Sequence, residues 1–150
     1  MTIEDIEAIE AIKQLKARYC RTLDTKDWAA YRALFTDDVT VDTTDSGGGS
    51  VTGADKFLDF LVATLAEVVT VHHCHTPEIE VASPDTATAT ATGIWAMEDM
   101  LRFGDGSEMH GFGHYHERYR RTDDGWRIES MKLTRLRMDF TPAPADAAGD

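Results

Sequence analysis

Residues 104–126, GDGSEMHGFGHYHERYRRTDDGW, hold two turns and the strand between them, and they decide how the second half of the chain folds. Gly104-Asp105-Gly106 and Asp123-Asp124-Gly125 are turn chemistry, because Gly and Asp tolerate the backbone angles that reverse a chain. Between them Glu108 to Arg121 is long enough for a full strand. Downstream, Trp126 to Phe140 makes a last strand. Upstream, Val69 to Val81 alternates apolar and polar residues, Ser83-Pro84-Asp85 turns the chain, and Thr86 to Thr92 alternates Thr with Ala ahead of Ile94 to Phe103. Four consecutive long strands joined by short turns must pair as an antiparallel meander.

The first half has a different period. Ile3, Ile6, Ile9, Ile12, Leu15, Tyr19 and Leu23 recur at spacings of three and four, the stripe of an amphipathic helix. Glu4, Asp5, Glu7 and Glu10 load its start while Lys13, Lys16, Arg18 and Arg21 load its second half, as the helix macrodipole favours. Trp28, Tyr31, Leu34 and Phe35 mark a second, short helix that stops at Asp37-Asp38. Val39 to Asp42 reads as a short strand, and Ser46 to Ser50 as a flexible loop too short to link domains. Phe57, Leu58, Leu61, Val62 and Leu65 make a third helix. The expectation is one α+β domain over residues 1–140, with helices covering one face of an antiparallel sheet, and a loose tail over residues 141–150. Ala87, Ala89 and Ala91 leave that sheet face short of side-chain volume, so a cavity between the first helix and the sheet is expected to take a small molecule.

Composition narrows the partners. The 150 residues carry 15 Lys plus Arg against 27 Asp plus Glu, a net charge of −12, and 42% hydrophobic residues, enough to close a core without metal or disulfide staples. Such a charge repels phosphate backbones and anionic headgroups, so neither nucleic acid nor a membrane surface is an expected partner. Residues 51–100 hold 8 of the acids and a single base, which favours a neutral or cationic ligand over an anionic one. Cys20 and Cys74 have no paired spacing, so they read as small buried hydrophobes in a reducing compartment. The acidic start lacks the cationic and apolar blocks of a signal peptide, and no apolar run approaches a membrane span; a cytoplasmic location is expected.

The histidines carry the chemistry. They fall in two groups, His72, His73, His75 and His110, His114, His116. Regular alternation puts Val71, His73, His75, Ile79 and Val81 on one face and His72, Cys74, Glu78 and Glu80 on the other, which sets His73 and His75 among the apolar residues. An imidazole there needs a partner, and Asp24, at the end of the first helix, is the candidate. A His held by a buried carboxylate has a fixed tautomer and acts as a general base. Asp24 has a second reading as the cap of the Trp28 helix, and His73 a second reading as a satisfied core histidine. Pairs such as His73/His75 and His114/His116 on neighbouring strands would suit a divalent ion, but such pairs are common on strands without one, and neither metal nor cofactor is expected. Tyr19 could polarise a carbonyl. Of Glu98 and Asp99, in an otherwise apolar strand, one is expected to face the pocket. Arg118 to Arg121 with Glu117 and Glu129 read as a solvated cross-strand ladder.

The helix followed by Leu23-Asp24-Thr25-Lys26-Asp27-Trp28, then Leu34-Phe35-Thr36-Asp37-Asp38-Val39, His72-His73, Gly113 to Tyr119 and Asp124-Gly125-Trp126-Arg127-Ile128 resembles the SnoaL-like branch of the nuclear-transport-factor-2-like (NTF2-like) superfamily over about Ile3 to Asp139. The resemblance implies a cone of curved sheet wrapped on helices. Within the branch the chain resembles scytalone dehydratase, the bile-acid 7α-dehydratases and hexachlorocyclohexane dehydrochlorinase, cofactor-free lyases with a His on a strand and an Asp after helix one. Asp24 and His73 fall on those positions and become the expected catalytic pair. Tyr19 matches a pocket tyrosine of the bile-acid enzymes. Leu23 and Thr43 stand where the scytalone enzyme has tyrosines, and its second His maps near Met97 or Glu98, so Glu98 joins Tyr19, His75 and His114 as an expected substrate-binding residue. The expected function is a dehydratase-like lyase acting on a neutral, cyclic or aromatic small molecule. An isomerase or cyclase of a polycyclic ketone, or a binding module without catalysis, is the alternative. Resemblance also implies a homo-oligomer, a trimer or dimer.

Overall fold

The computed structural model describes residues 1–145; the end of the expected loose tail, residues 146–150, lies outside them. In chain order the elements are α1 (Ile3–Asp24), α2 (Trp28–Arg32), β1 (Phe35–Asp42), a 3-10 turn (Thr44–Ser46), β2 (Ser50–Thr52), α3 (Ala54–Leu65), β3 (Val69–Ala82), β4 (Thr90–Arg102), β5 (Glu108–Thr122) and β6 (Gly125–Thr141). The strands form one curved, unclosed six-stranded sheet in the order β2-β1-β6-β5-β4-β3. The helices cover its concave face, which gives the α+β, cone-like architecture.

The sheet is mixed rather than purely antiparallel. β3 to β6 form the expected meander, but β1 lies parallel to β6. A parallel neighbour needs a long crossover, and the whole of β2 to β5 supplies it. This pairing also moves the start of β1. The Ile128 N–H donates to the Leu34 carbonyl at 2.8 Å and Phe35 pairs with Ile128, so α2 ends at Arg32 and Asp37-Asp38 lie within the strand. β4 likewise starts at Thr90, later than the Thr–Ala alternation suggests, although Ala89 and Ala91 are buried as expected of a close-packed face.

Helix α1 begins with a capping box, in which the Thr2 hydroxyl accepts from the Asp5 N–H and the Asp5 carboxylate accepts from the Thr2 N–H. Ile3 and Ile6 remain exposed, so the stripe is buried only from Ala8 onward. Ile12, Leu15, Tyr19 and Leu23 then pack on the sheet, and Lys16 is buried with them. Its ammonium lies 3.5 Å from the centroid of the Tyr19 ring and 3.8 Å from that of Tyr115, and it pairs with the Glu117 carboxylate. Glu117 also accepts from the Tyr119 hydroxyl, which in turn accepts from Trp95 Nε1 at 2.8 Å. Glu117 is therefore a core residue and leaves the expected surface ladder. Only Arg120, bonded to Glu129 and Asp38, keeps that role.

A buried ion pair broken on one side leaves an uncompensated charge, worth about 3–5 kcal/mol. Lys16→Met should lower the unfolding free energy in urea by that order. The double substitution Lys16→Met, Glu117→Gln should lower it less; equal losses would show that the charge is not what matters.

Candidate active site

The site is set by an irregularity in β3. Along the β3–β4 ladder His75 pairs with Ala96 and Glu78 with Ile94, so three steps on β3 face two on β4. Thr76, with φ of 40°, occupies the extra position of this bulge. One inserted residue inverts which side chains point inward. Before the bulge Thr70, His72 and Cys74 face the helices; after it Pro77, Ile79 and Val81 do. The alternation expected over Val71 to Val81 holds only for the second part. His72 is consequently buried, whereas the side chains of His73 and His75 are about half exposed, 52% and 50%, on the outer face.

Asp24 meets His72, not His73. Its Oδ1 lies 2.7 Å from His72 Nδ1 and accepts from the Thr70 hydroxyl at 2.9 Å, while its Oδ2 accepts from the His72 backbone N–H at 2.8 Å. The Lys26 ammonium donates to the Thr70 oxygen at 2.8 Å. Burial pushes the Asp24 carboxyl up, but the bonds from the His72 ring and backbone and from Thr70 outweigh it and hold the group below its ordinary value. An ionised carboxylate only accepts, so Nδ1 carries a proton, and in the neutral ring Nε2 is the unprotonated nitrogen. The capping role belongs to Asp27, which accepts from the Ala30 N–H, so the alternative reading of Asp24 falls away.

His72 lines a cavity of about 410 Å³ between the helices and the concave sheet face. Its apolar wall includes Leu23, Phe57, Leu61, Met109 and Leu133. The polar groups converge on one side: His72, Asp99, Arg135, Tyr19 and Tyr115. His72 Nε2 lies 4.0 Å from Asp99 Oδ2. Asp99 is locked by Arg135 in a bidentate pair at 2.6 and 2.9 Å. Burial pulls the Arg135 guanidinium down, but the Asp99 carboxylate outweighs it and holds the group above its ordinary value. Arg135 Nε also donates to Ser46 Oγ at 2.8 Å, which ties the Gly-rich loop, whose Gly47 and Gly48 line the cavity, to β6. The Tyr19 hydroxyl donates to that of Tyr115 at 3.3 Å, and burial raises both phenols far above their ordinary values, so they remain protonated donors.

Tyr19 thus stands in the pocket wall, as expected. Of the acidic pair it is Asp99 that faces the pocket. Glu98, expected inside, points outward because β4 alternates without interruption. His75 and His114 share that outer face, so neither reaches the cavity. Cys20 and Cys74, far apart in sequence, face each other across α1 and β3 with 3.5 Å between sulfurs. Sequence reasoning missed Lys16, Tyr115 and Arg135. Lys16 falls on the stripe beside Ile12 and Tyr19, a partial signal that does not identify Glu117 as its partner. Arg135 had an indirect signal in Gly111, because a Cβ there would come within 2.3 Å of Arg135 Nη1 and 2.4 Å of Asp99 Oδ1. A glycine inside a strand marks such a close approach.

Because the folded-state pKa of Asp24 is depressed, its contribution to stability is present above the unfolded value of about 3.9 and is lost as pH falls through the lower, folded value. Denaturant midpoints measured downward from about pH 6 should therefore fall more steeply below about pH 4 in the wild type than in Asp24→Asn. Parallel curves would contradict the bonding described.

Among the described residues no helix is long and apolar enough to cross a membrane. A protein of Gibberella zeae named Probable cyclase is 26% identical over 146 residues, covering 87% of this chain and 92% of that one. A scytalone dehydratase-like protein of Novosphingobium aromaticivorans superposes with a TM-score of 0.82 at 20% identity, covering 93% of this chain and 91% of its own. The hexachlorocyclohexane dehydrochlorinase LinA-type3 of Novosphingobium barchaimii superposes with a TM-score of 0.75 at 17% identity, covering 94% and 93%. The family model described as SnoaL-like domain matches residues 4–132, and the chain belongs to that family, within the NTF2-like superfamily.

Proposed function

We propose that the protein is a small-molecule lyase in which His72, oriented by Asp24, removes a proton from a carbon next to a carbonyl or leaving group. One observation carries this reading: Nδ1 of His72 is bonded to an ionised carboxylate while the ring lines a largely apolar cavity. The proton passes from carbon to Nε2, the electron pair moves into the new double bond, and the leaving group departs with its own pair. Asp24 stabilises the imidazolium that forms. A general base of this kind contributes about 10²–10⁴ in rate. Tyr115, whose hydroxyl accepts from Tyr19 and keeps its own proton free, is placed to donate to an oxygen that gains charge. Asp99, neutralised by Arg135, keeps a polar group near Nε2 without adding a free negative charge to the cavity. A neutral, cyclic or aromatic substrate fits its aromatic wall and volume.

The dyad position is the one implied by the family resemblance, moved by one residue, with His72 in place of His73. The names of similar proteins agree with elimination from ring compounds, a dehydratase-like protein and a dehydrochlorinase. The relative named Probable cyclase supports a second reading, ring closure of a polycyclic ketone, which begins with the same proton abstraction. Catalysis rather than binding alone is favoured by the tautomer-locked imidazole on the cavity wall, although the same bonds also hold α1 to β3.

Proton abstraction is measurable without the native substrate. Exchange of the α-hydrogens of 2-tetralone, a bicyclic ketone, in D2O should be accelerated by the protein and followed by NMR. His72→Ala should lower that acceleration by about 10²–10⁴, and Asp24→Asn by at least about tenfold through the wrong tautomer. His73→Ala should leave it near the wild-type level. Activity kept by His72→Ala and lost by His73→Ala would sink the assignment.

A further inference from the structure

The side chains that the bulge turns outward do not scatter. On the outer face of the sheet Glu98 of β4 stands between His73 and His75 of β3 on one side and His110 of β5 on the other. Glu98 Oε1 lies 3.5 Å from His73 Nδ1 and 3.5 Å from His75 Nε2, and Oε2 lies 3.1 Å from His110 Nε2. One ligand atom from each of His73, His75 and Glu98 falls within 4.8 Å of the others. None of these residues lines the 410 Å³ cavity that His72 borders, although His73 and His75 border a second cavity with His72, between α1 and β3.

We propose that His73, His75 and Glu98, with His110 as a fourth ligand, form a binding site for a divalent first-row transition ion of the zinc class. Around a tetrahedral Zn2+ with bonds of about 2.0–2.1 Å, neighbouring donor atoms sit about 3.3–3.4 Å apart. The separations of His73 Nδ1 and His75 Nε2 from Glu98 Oε1, 3.5 Å each, lie close to that value, and His110, which meets the other carboxylate oxygen at 3.1 Å, joins them after a side-chain rotation. The donor set of three imidazoles and one carboxylate suits zinc and its neighbours; calcium and magnesium prefer all-oxygen shells. The frame is rigid because three consecutively paired strands carry the ligands, and His73 and His75, two apart before the bulge, share one face. His114 and His116 share that face further along β5, but among the described residues no carboxylate pairs with them; His116 Nε2 instead meets Thr134 Oγ1 at 3.2 Å. Bound metal would clamp β3, β4 and β5 from outside, opposite the reaction cavity, and stabilise the fold in proportion to the logarithm of its free concentration.

The simpler reading is that an exposed glutamate gathers histidines by hydrogen bonding alone, and titration separates the two. Chelator-treated protein would be titrated with Zn2+ by calorimetry and with Co2+ by visible absorption, with folding of each variant checked by circular dichroism. Expected are one ion per chain, Co2+ bands of a four- or five-coordinate site, and affinity lower by at least about tenfold in Glu98→Gln and in the His73→Ala, His75→Ala double variant. The His114→Ala, His116→Ala variant should bind as the wild type does. Absence of saturable binding, wild-type affinity in the Glu98→Gln and His73→Ala, His75→Ala proteins, or loss of binding in the His114→Ala, His116→Ala protein would each overturn the proposal. One ion per two chains with dimer formation in sedimentation would overturn it too, because the ligands would then come from two copies.

Discussion

Helix α1 is fastened to the concave face of the sheet at two depths by charged groups, and the cavity lies beside that fastening. Lys16 reaches Glu117 of β5 between two tyrosine rings, and Asp24, about 12 Å further along the helix axis, reaches Thr70 and His72 of β3. Apolar packing alone fixes a helix on a sheet loosely in rotation and slide, since dispersion and burial are not directional. Two charged contacts on different strands remove that freedom. Tyr19, Tyr115, Asp99 and Arg135 line the cavity beside these contacts.

The lower fastening does double duty. The bonds that hold the end of α1 to β3 are the same bonds that fix the His72 tautomer, so the geometry of the proposed pair follows from how the fold is closed. The carboxylate spends its lone pairs on a ring N–H, a backbone N–H and a hydroxyl, and a group so satisfied can remain ionised while half-buried. Beside His72, Arg135 performs the corresponding service for Asp99, and Gly111 leaves the room it needs.

The Thr76 bulge divides the histidines into two populations with different chemistry. On its N-terminal side the strand runs out of phase with its C-terminal half, sending His72 in and His73 and His75 out. Without the extra residue the apolar run Val71 to Val81 would place His73 inside, as regular alternation says. Nothing in Cys74 to Glu78 marks the insertion unambiguously. Pro77 hints at irregular pairing, but a proline can also sit at an ordinary edge strand, and β3 is an edge. Glu98 and Asp99 posed the same question on β4, where the answer depended on which residues lay across the ladder.

Local patterns determined what depends only on neighbours along the chain. The period of Ile12, Leu15, Tyr19 and Leu23, the turn pairs around Gly104 and Gly125, and the four long alternating stretches specify helices, hairpins and an α+β class, because periodicity and turn chemistry act over a few residues. The residue types of the site were also legible, an aspartate at the end of α1 and a histidine on β3. Which histidine, which carboxylate of Glu98 and Asp99, the burial of Lys16 with Glu117 and the parallel seat of β1 on β6 were decided only in three dimensions. Each depends on register between strands distant in sequence, and a shift of one residue in register exchanges the two faces of a sheet.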